Sequence, residues 1–409
     1  MLVTAKPEDV GLSSERLDRI GPWMDSYINA GKLPGGLALV ARRGQVVYCQ
    51  CRGLRDIEAD LPVEEDTIFR FYSMSKPVTS TTIMMLYEQG HFQLDDPIAG
   101  FLPEFTDMQV YVSGEGAAMR TEPARDPITF RHLLTHTGGL TYGFFEATPV
   151  DAAYRQNNVE FNGGRGGHGD LAANARRLAD QPLLTHPGEE WNYSVSTDLL
   201  GRLVEVISGQ PLDEYFQQRI LGPLGMTDTS FSIAPEKQNR FAANYGHEKT
   251  GPLKLLDAPG DSSYQDVKLF SGGGGLTSTA RDYHRFTQML RGKGEFEGVR
   301  LLGRKTVEYM TTNHLPNNGD LTSMGQAVFS ETSYDGVGFG LGFSVMLDPA
   351  KAQVIGSPGE YAWGGAASTA FWIDPVEDMS VIFLTQLMPS STYPLRRELK
   401  VLTYQALIG

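Results

Sequence analysis

The segment Phe69–Ser80 reads FRFYSMSKPVTS, and it places a serine, Ser73, three residues before a lysine, Lys76. If the segment after Ser73 is helical, the two side chains lie one turn apart on the same face of the helix. The apolar residues between Val78 and Leu86 indicate that this helix is buried, and burial penalises the charged form of a lysine. A lysine in that setting can take the proton of a serine hydroxyl, so the spacing predicts a nucleophile beside its base.

An ordinary helix start has the same pattern, because Ser73 or Ser75 can cap the helix while Lys76 stays in solvent. Two observations favour the catalytic interpretation. Of the eleven lysines in the chain only Lys76 has a serine three residues before it, and no serine stands in the G-x-S-x-G pattern of the α/β-hydrolase elbow. The segment is therefore the first candidate for a catalytic site.

Composition narrows the class of protein. The chain has 409 residues, a formal net charge of −14, 41% hydrophobic and 21% charged residues, which is typical of a globular protein with one large core or two lobes. The negative charge disfavours nucleic acid and anionic membranes as partners and fits a neutral small molecule.

Cys49 and Cys51, two residues apart on a strand-like run, are not expected to form a disulfide with good geometry. With no signal-peptide pattern and no apolar run near ~18 residues, we expect a cytoplasmic protein.

Helix-like and strand-like patterns divide the chain into two kinds of segment. A helical stripe from Leu17 to Ile28, the strands LALVAR and QVVYCQC joined at Arg43-Gly44, and three strands and a helix near the C-terminus predict an α/β lobe formed by residues 1–79 and 266–409. Residues 80–265 are helix-patterned and interrupted by Gly and Pro, including the loop NGGRGGH, which predicts an inserted helical lobe. Chemistry is expected in the cleft between the lobes.

Six segments occur in an order that resembles a known superfamily. They are SMSK, ITFRHLLTHTGGL, PGEEWNYSVSTDLLGRLVE, GGGGLTSTARDYHRF, GFGLGF and WGGAASTAFWIDP. The chain thereby resembles the serine β-lactamases and penicillin-binding proteins, and among them the class C β-lactamase-like carboxylesterases called family VIII esterases. The resemblance implies an α/β, serine β-lactamase-like fold, with an antiparallel sheet flanked by helices and a helical lobe inserted in the chain. It implies no metal and no cofactor.

The superfamily's second motif, Tyr-x-Asn, corresponds here to Tyr193-Ser194-Val195. The resemblance implies that Tyr193 relays a proton for Ser73 and later activates water; a purely structural tyrosine is the alternative. Whether Lys76 or Tyr193 is the primary base stays open, because the two titrate as a coupled pair. Val195 replaces an asparagine that clamps the acylamide of β-lactams, so the substitution favours a simple ester.

The third motif, Lys-Thr-Gly, occurs literally at 249–251, but the surrounding Gly and Pro indicate an exposed turn. By order and context the matching segment is Trp363-Gly364-Gly365, which leads into the strand-like AASTAFWI. Trp363 offers an apolar wall in place of a cation, and Gly364 and Gly365 let the backbone approach a substrate. The resemblance implies an oxyanion hole made by the amides of Ser73 and Ala366; a strand-entry bulge is the alternative.

Further candidates follow from local context. Tyr142 and Phe144 line the acyl pocket or belong to the core. His132 and His136 are four residues apart, but no H-E-x-x-H motif accompanies them, which disfavours a metal site. The run Gly272 to Gly275 lacks the lysine of a P-loop, which disfavours a nucleotide.

These features predict a serine carboxylesterase that hydrolyses short-chain esters through an acyl-enzyme on Ser73, with Lys76 and Tyr193 as the acid/base pair. Three alternatives remain: a β-lactamase or D-amino-acid peptidase, an acyltransferase that passes the acyl group to an alcohol, and a silent binding module. The sequence predicts neither the natural substrate nor the oligomeric state.

Overall fold

The sheet expected from the strand-like segments is present in a computed structural model, which describes residues 2–161, 169–248, 251–325 and 334–409. The α-helices of these residues are α1 (Ser14–Leu17), α2 (Ile20–Asn29), α3 (Lys76–Glu88), α4 (Phe130–Leu134), α5 (Pro149–Gln156), α6 (Leu171–Ala179), α7 (Ser196–Ser208), α8 (Leu212–Phe216), α9 (Ala280–Arg291), α10 (Arg304–Met310), α11 (Leu321–Met324), α12 (Pro349–Ala352) and α13 (Leu395–Tyr404). The strands are β1 (Gly35–Arg42), β2 (Gln45–Asp56), β3 (Leu61–Pro62), β4 (Phe69–Arg70), β5 (Gln109–Ser113), β6 (Arg120–Pro123), β7 (Asn244–Gly246), β8 (Lys254–Asp257), β9 (Thr277–Ser278), β10 (Glu295–Phe296), β11 (Val299–Arg300), β12 (Val337–Phe339), β13 (Ser344–Met346), β14 (Tyr361–Gly364), β15 (Ala370–Asp374), β16 (Met379–Thr385) and β17 (Leu387–Met388).

One eight-stranded antiparallel sheet organises the molecule, in the order β12-β13-β14-β15-β16-β1-β2-β3. The β1-β2 hairpin turns at Arg43 and Gly44, whose φ angles of 51° and 78° match the tight reversal that the sequence indicated. Strand β1 pairs with β16, so the first and last strands lie side by side at the centre of the sheet. The predicted fold class, an α/β protein with an antiparallel sheet flanked by helices, is confirmed.

Side chains alternate between the two faces of the sheet. Along β16, Val381 and Phe383 pack beneath α1, α2 and α13, whereas Ile382 and Leu384 join the larger core that contains α3, α7 and α9. This alternation follows from the two-residue period of a strand and buries both faces. The larger core continues without a break into the helices between 80 and 265.

Several sequence expectations are refined by these elements. Helix α3 runs across residue 80, and residues 80–265 also contain β5 to β8, so the boundary between two lobes stays a prediction. The strand expected from Ala366 begins at Ala370, because the preceding residues form a turn; the earlier start was wrong. The loop NGGRGGH and Lys249 and Thr250 lie outside the described residues.

Two further features of the fold concern the cysteines and the length of the helices. Cys49 and Cys51 lie on β2 as free thiols, and burial raises the pKa of each to about 12. Among the residues that the structure describes, no helix has the length and apolar character that a membrane span requires.

Candidate active site

Ser73 lies in a strained turn that leads into α3. Residues Tyr72–Ser75 form a 3-10 turn, and Tyr72 has a φ of 45°, a left-handed conformation that is costly for a tyrosine and concentrated at functional sites. Ser73 lines a large cavity. Ser75 is fully buried, and its hydroxyl accepts a hydrogen bond from the Leu276 amide at 3.0 Å. The turn therefore gives the two serines of the motif different surroundings.

Lys76 is buried at the first position of α3, with 2% of its surface exposed. Its Nζ donates to the Tyr142 hydroxyl at 2.9 Å and to the Gly273 carbonyl at 2.7 Å, and it lies 3.4 Å from Ser73 Oγ. The same nitrogen lies 4.7 Å from the centre of the Tyr193 ring. The amino group is thus held within reach of the serine hydroxyl by neighbours from three other segments of the chain.

Two tyrosines line the cavity beside Lys76, with ring centroids 5.5 Å apart. Burial raises the pKa of Tyr142 well above its usual value, and the charge of Asp198 adds to the rise, so this phenol stays protonated near neutral pH. The Tyr193 hydroxyl accepts a hydrogen bond from the Trp363 indole at 3.4 Å. Tyr193 was predicted from its motif in the sequence, but no sequence motif indicates the contact between Tyr142 and Lys76.

Asp198 is a residue of the site that sequence reasoning missed. Its buried carboxylate, at the start of α7, accepts hydrogen bonds from the Ser271 hydroxyl at 2.5 Å and the Gly273 amide at 3.0 Å. Burial raises the pKa of Asp198, and the charge of Lys76 opposes that rise. A Cβ at Gly273 would lie 2.4 Å from the carboxylate. The glycine run from 272 to 275 was therefore a signal for close backbone packing here.

The Trp363-Gly364-Gly365 segment ends β14 and enters a tight turn that lies against the Ser73 turn. The amide of Gly365 donates to the Thr369 carbonyl at 2.9 Å, which closes the turn around Ala366. A Cβ on Gly365 would lie 2.3 Å from the Phe71 carbonyl oxygen. Ala366 lines the cavity together with Trp363 and both glycines. The turn thus brings Ala366 and Ser73 to the same part of the cavity wall.

The cavity has a volume of about 650 Å³, within the range of small-molecule sites. Aromatic side chains form much of its wall, including Tyr142, Phe144, Phe161, Tyr193 and Trp363. Phe144 is 47% exposed and stacks on Tyr142 with ring centroids 4.6 Å apart, which places it at the rim. Such a wall suits an uncharged acyl or alcohol group.

Three residues singled out in the sequence have other surroundings. Val195, expected from the sequence to face the substrate, is 2% exposed, packs in the core beside α7 and is not among the residues that line the cavity. His132 exchanges capping hydrogen bonds with Thr129, and His136 lies 3.2 Å from Ser194 Oγ. Burial lowers the pKa of both histidines.

A metal centre was disfavoured by the sequence. Within the described ranges, no group of three or more His, Cys, Asp or Glu side chains is arranged to hold a metal ion.

Comparisons with known proteins show which family the chain belongs to. The family model described as Beta-lactamase matches residues 21–405. Esterase EstB of Burkholderia gladioli is 32% identical over 402 residues, covering 93% of this chain and 92% of its own. Monacolin J acid methylbutanoyltransferase of Aspergillus terreus is 28% identical over 389 residues, with 88% of each chain covered. The solved structure of EstCE1, a hydrolase with promiscuous acyltransferase activity, has a TM-score of 0.77 at 27% identity and covers 97% of this chain and 98% of its own.

The chain belongs to the beta-lactamase family. The resemblance to family VIII esterase-type serine hydrolases is confirmed, and the protein is an enzyme of the serine-hydrolase and acyl-transferring kind.

Proposed function

We propose that the protein is a carboxylesterase that cleaves short-chain carboxylic esters through an acyl-enzyme on Ser73. The observation that carries the proposal is the buried amino group of Lys76, 3.4 Å from Ser73 Oγ. A buried amine beside a cavity-facing hydroxyl is the arrangement that activates a serine without a histidine. The relative named as an esterase supports a small-molecule ester as substrate.

The reaction has two halves. Ser73 Oγ attacks the ester carbonyl, its proton passes to the pair formed by Lys76 and Tyr193, and the oxyanion is held by the amides of Ser73 and Ala366. The bond to the alcohol oxygen breaks, and the same pair returns the proton to that oxygen. Water then attacks the acyl-enzyme and gives a proton to the same pair. The bond between the acyl carbon and Ser73 Oγ breaks, the pair returns the proton to Oγ, and the acid leaves.

The other neighbours of Lys76 keep this proton transfer ordered. The Gly273 carbonyl, itself fixed through its amide by Asp198, and the protonated Tyr142 hydroxyl hold the lysine nitrogen in place. The aromatic wall around Trp363 receives an apolar acyl or alcohol group. A short, uncharged ester therefore fits better than a substrate that needs a cation in place of Trp363.

The test compares hydrolysis of p-nitrophenyl butyrate with that of a chromogenic cephalosporin. We expect the ester to be turned over far faster, and Ser73→Ala, Lys76→Ala and Tyr193→Phe each to lower kcat by at least ~10² with the fold retained. The matched control is Ser75→Ala, two residues away in the same motif, which loses one buried hydrogen bond worth about 1 kcal/mol of stability but keeps its activity. Full activity of Ser73→Ala would contradict the proposal, and a preference for the cephalosporin would contradict the substrate class.

A second candidate function is acyl transfer to an alcohol. A cavity of about 650 Å³ leaves room for a bulky second reactant beside a short acyl chain. The acyl-enzyme then reacts with an alcohol hydroxyl instead of water, and a new ester leaves. The relative named as a methylbutanoyltransferase supports this alternative.

A further inference from the structure

The two glycines of the Trp363-Gly364-Gly365 segment face other parts of the protein. A Cβ on Gly364 would lie 2.4 Å from Nη2 of Arg396, and a Cβ on Gly365 would lie 2.3 Å from the Phe71 carbonyl oxygen. The sequence suggested that these glycines make room for a substrate. In the structure they also make room for a guanidinium on one side and for the backbone before Ser73 on the other.

Arg396 reaches this turn from α13, 31 residues after Gly365. Its Nη2 donates to the carbonyl oxygens of Gly365 at 3.2 Å and Thr369 at 3.1 Å. These two carbonyls stand at the beginning and the end of the turn. One guanidinium nitrogen therefore ties both ends of the turn to the C-terminal helix.

The peptide unit between Gly365 and Ala366 links this contact to the cavity. A peptide unit is planar and trans, so the N–H of Ala366 points opposite to the carbonyl of Gly365. That carbonyl accepts hydrogen bonds from Arg396 and, at 3.1 Å, from the amide of Ser368. Fixing the carbonyl on the Arg396 side therefore fixes the direction of the Ala366 N–H away from Arg396.

The turn has a strained backbone that needs such support. Ser368 has a φ of 65°, a left-handed conformation that is uncommon for serine and persists only where the surroundings impose it. The Thr369 hydroxyl donates to the Phe71 carbonyl at 3.4 Å, which connects the turn to the Ser73 segment. Arg396 and Phe71 thus hold the turn from opposite sides.

We propose that Arg396 is a positioning residue for the oxyanion hole: its guanidinium orients the peptide unit whose N–H, that of Ala366, receives the developing oxyanion. This inference rests on the proposed function, since it requires an acyl transfer at Ser73. A cation bonded to a carbonyl also polarises the peptide unit, which makes its N–H a stronger donor. Because the oxyanion exists only in the transition state, Arg396 affects the rate of the reaction rather than the binding of the ester.

The experiment measures kcat and KM for p-nitrophenyl butyrate with Arg396→Ala and with Arg396→Met, which keeps an apolar stem but no donor. We expect kcat and kcat/KM to fall equally, by about 10- to 100-fold. This loss is no larger than the loss expected when an oxyanion-hole donor itself is removed. KM stays within about 3-fold. We expect methylguanidinium at millimolar concentration to restore part of the kcat of Arg396→Ala. A purely structural role of Arg396 would give no such rescue. Arg304→Ala, an exposed arginine that pairs with Glu308 on α10, is the control and keeps wild-type kinetics.

The possible results separate the two proposals. If Arg396→Met keeps the wild-type kcat while Ser73→Ala is inactive, the role of Arg396 is refuted and the proposed function stands. A rise in KM with kcat unchanged, and no rescue by methylguanidinium, assigns Arg396 to substrate binding and also refutes the inference. Activity in Ser73→Ala would refute the proposed function itself. If Arg396→Ala does not fold, the kinetics of Arg396→Met decide.

Discussion

Trp363 combines two roles at the scale of a single residue. Its ring lies in the apolar wall, 5.4 Å from the Tyr193 ring centre, and its indole nitrogen donates to the Tyr193 hydroxyl at 3.4 Å. A hydrogen bond to the phenol oxygen fixes the direction of the phenol. The residue type alone suggested only the wall, because an indole N–H contributes a donor only where an acceptor lies within reach.

The donor role predicts the outcome of Trp363→Phe, which keeps an aromatic wall and removes the N–H. We expect kcat/KM to fall about 10-fold for all short esters alike, a loss of about 1.4 kcal/mol, which is within the range of one hydrogen bond. Trp363→Ala removes the wall as well and should in addition raise KM. Steady-state kinetics with acetate, butyrate and hexanoate esters measure both effects; a wild-type kcat/KM in Trp363→Phe would leave the indole N–H without a role.

At the scale of elements, the site is the meeting point of α3, α7 and the loop around Gly273. Helix α3 is buried on all sides over its first turns, and the buried Thr79 hydroxyl bonds to nearby backbone, the Gly272 carbonyl, at 2.7 Å. The glycine run lets this loop pass between the two helices. A buried helix was predictable from its apolar residues, but the loop that covers its start was not, because glycines carry no periodic pattern.

Helix α9, which packs against β16, offers a test of these buried elements through pH. Burial, with Arg291 and Arg285 adding to the effect, lowers the pKa of His284 to about 4. The unfolded chain binds this proton below about pH 6.5 and the folded chain only near pH 4, so the stabilisation is complete above pH 6.5 and is lost as the pH falls.

We therefore expect the free energy of unfolding of the wild type, relative to His284→Leu, to fall by about 1.4 kcal/mol per pH unit between pH 6 and 5. Urea unfolding at pH 7, 6 and 5 measures the difference. The value at pH 7, where the histidine is neutral in both states, serves as the internal control for packing. A difference that stays constant over this range would show that folding does not lower the pKa of His284.

At the scale of the whole molecule, the cavity is assembled from distant parts of the chain, among them the Ser73 turn, Tyr142 and Tyr193, the glycine loop, the end of β14 and the start of α13. None of these parts forms a cavity by itself. Its volume of about 650 Å³ is enclosed by residues of the 80–265 region on one hand and by the sheet and the C-terminal part of the chain on the other. The size of that space bears on whether water or an alcohol receives the acyl group.

The cavity volume predicts how the acyl-enzyme partitions between acceptors. With vinyl butyrate as donor, we expect 2-phenylethanol to give more transfer product than methanol at equal concentration, because an apolar aromatic alcohol gains contacts in the cavity. Chromatography of the ester and acid products measures the ratio, and Ser73→Ala is the blank. A larger yield with methanol, or acid as the sole product with both alcohols, would contradict the prediction and favour plain hydrolysis.

Features that depend on neighbouring residues could be predicted from the sequence. The β1-β2 hairpin followed from Arg43-Gly44, the buried helix from the residues after Ser73, and the family from six ordered segments. The wrong start of β15 shows the limit of such local prediction. Ala, Ser and Thr suit a strand, but the chain turns at Ser368, which has a positive φ, before the strand begins.

The contacts between distant groups could not be predicted from the sequence and are seen in the folded chain. Tyr142 is 66 residues from Lys76 and the Gly273 carbonyl is 197 residues from it, and Arg396 joins the turn at Gly365 from 31 residues away. The physical reason is that periodicity and turn chemistry act over a few residues, whereas these contacts depend on how whole helices pack on the sheet. The proposed nucleophile is visible in a motif, and the surroundings proposed to make it reactive are visible only in the fold.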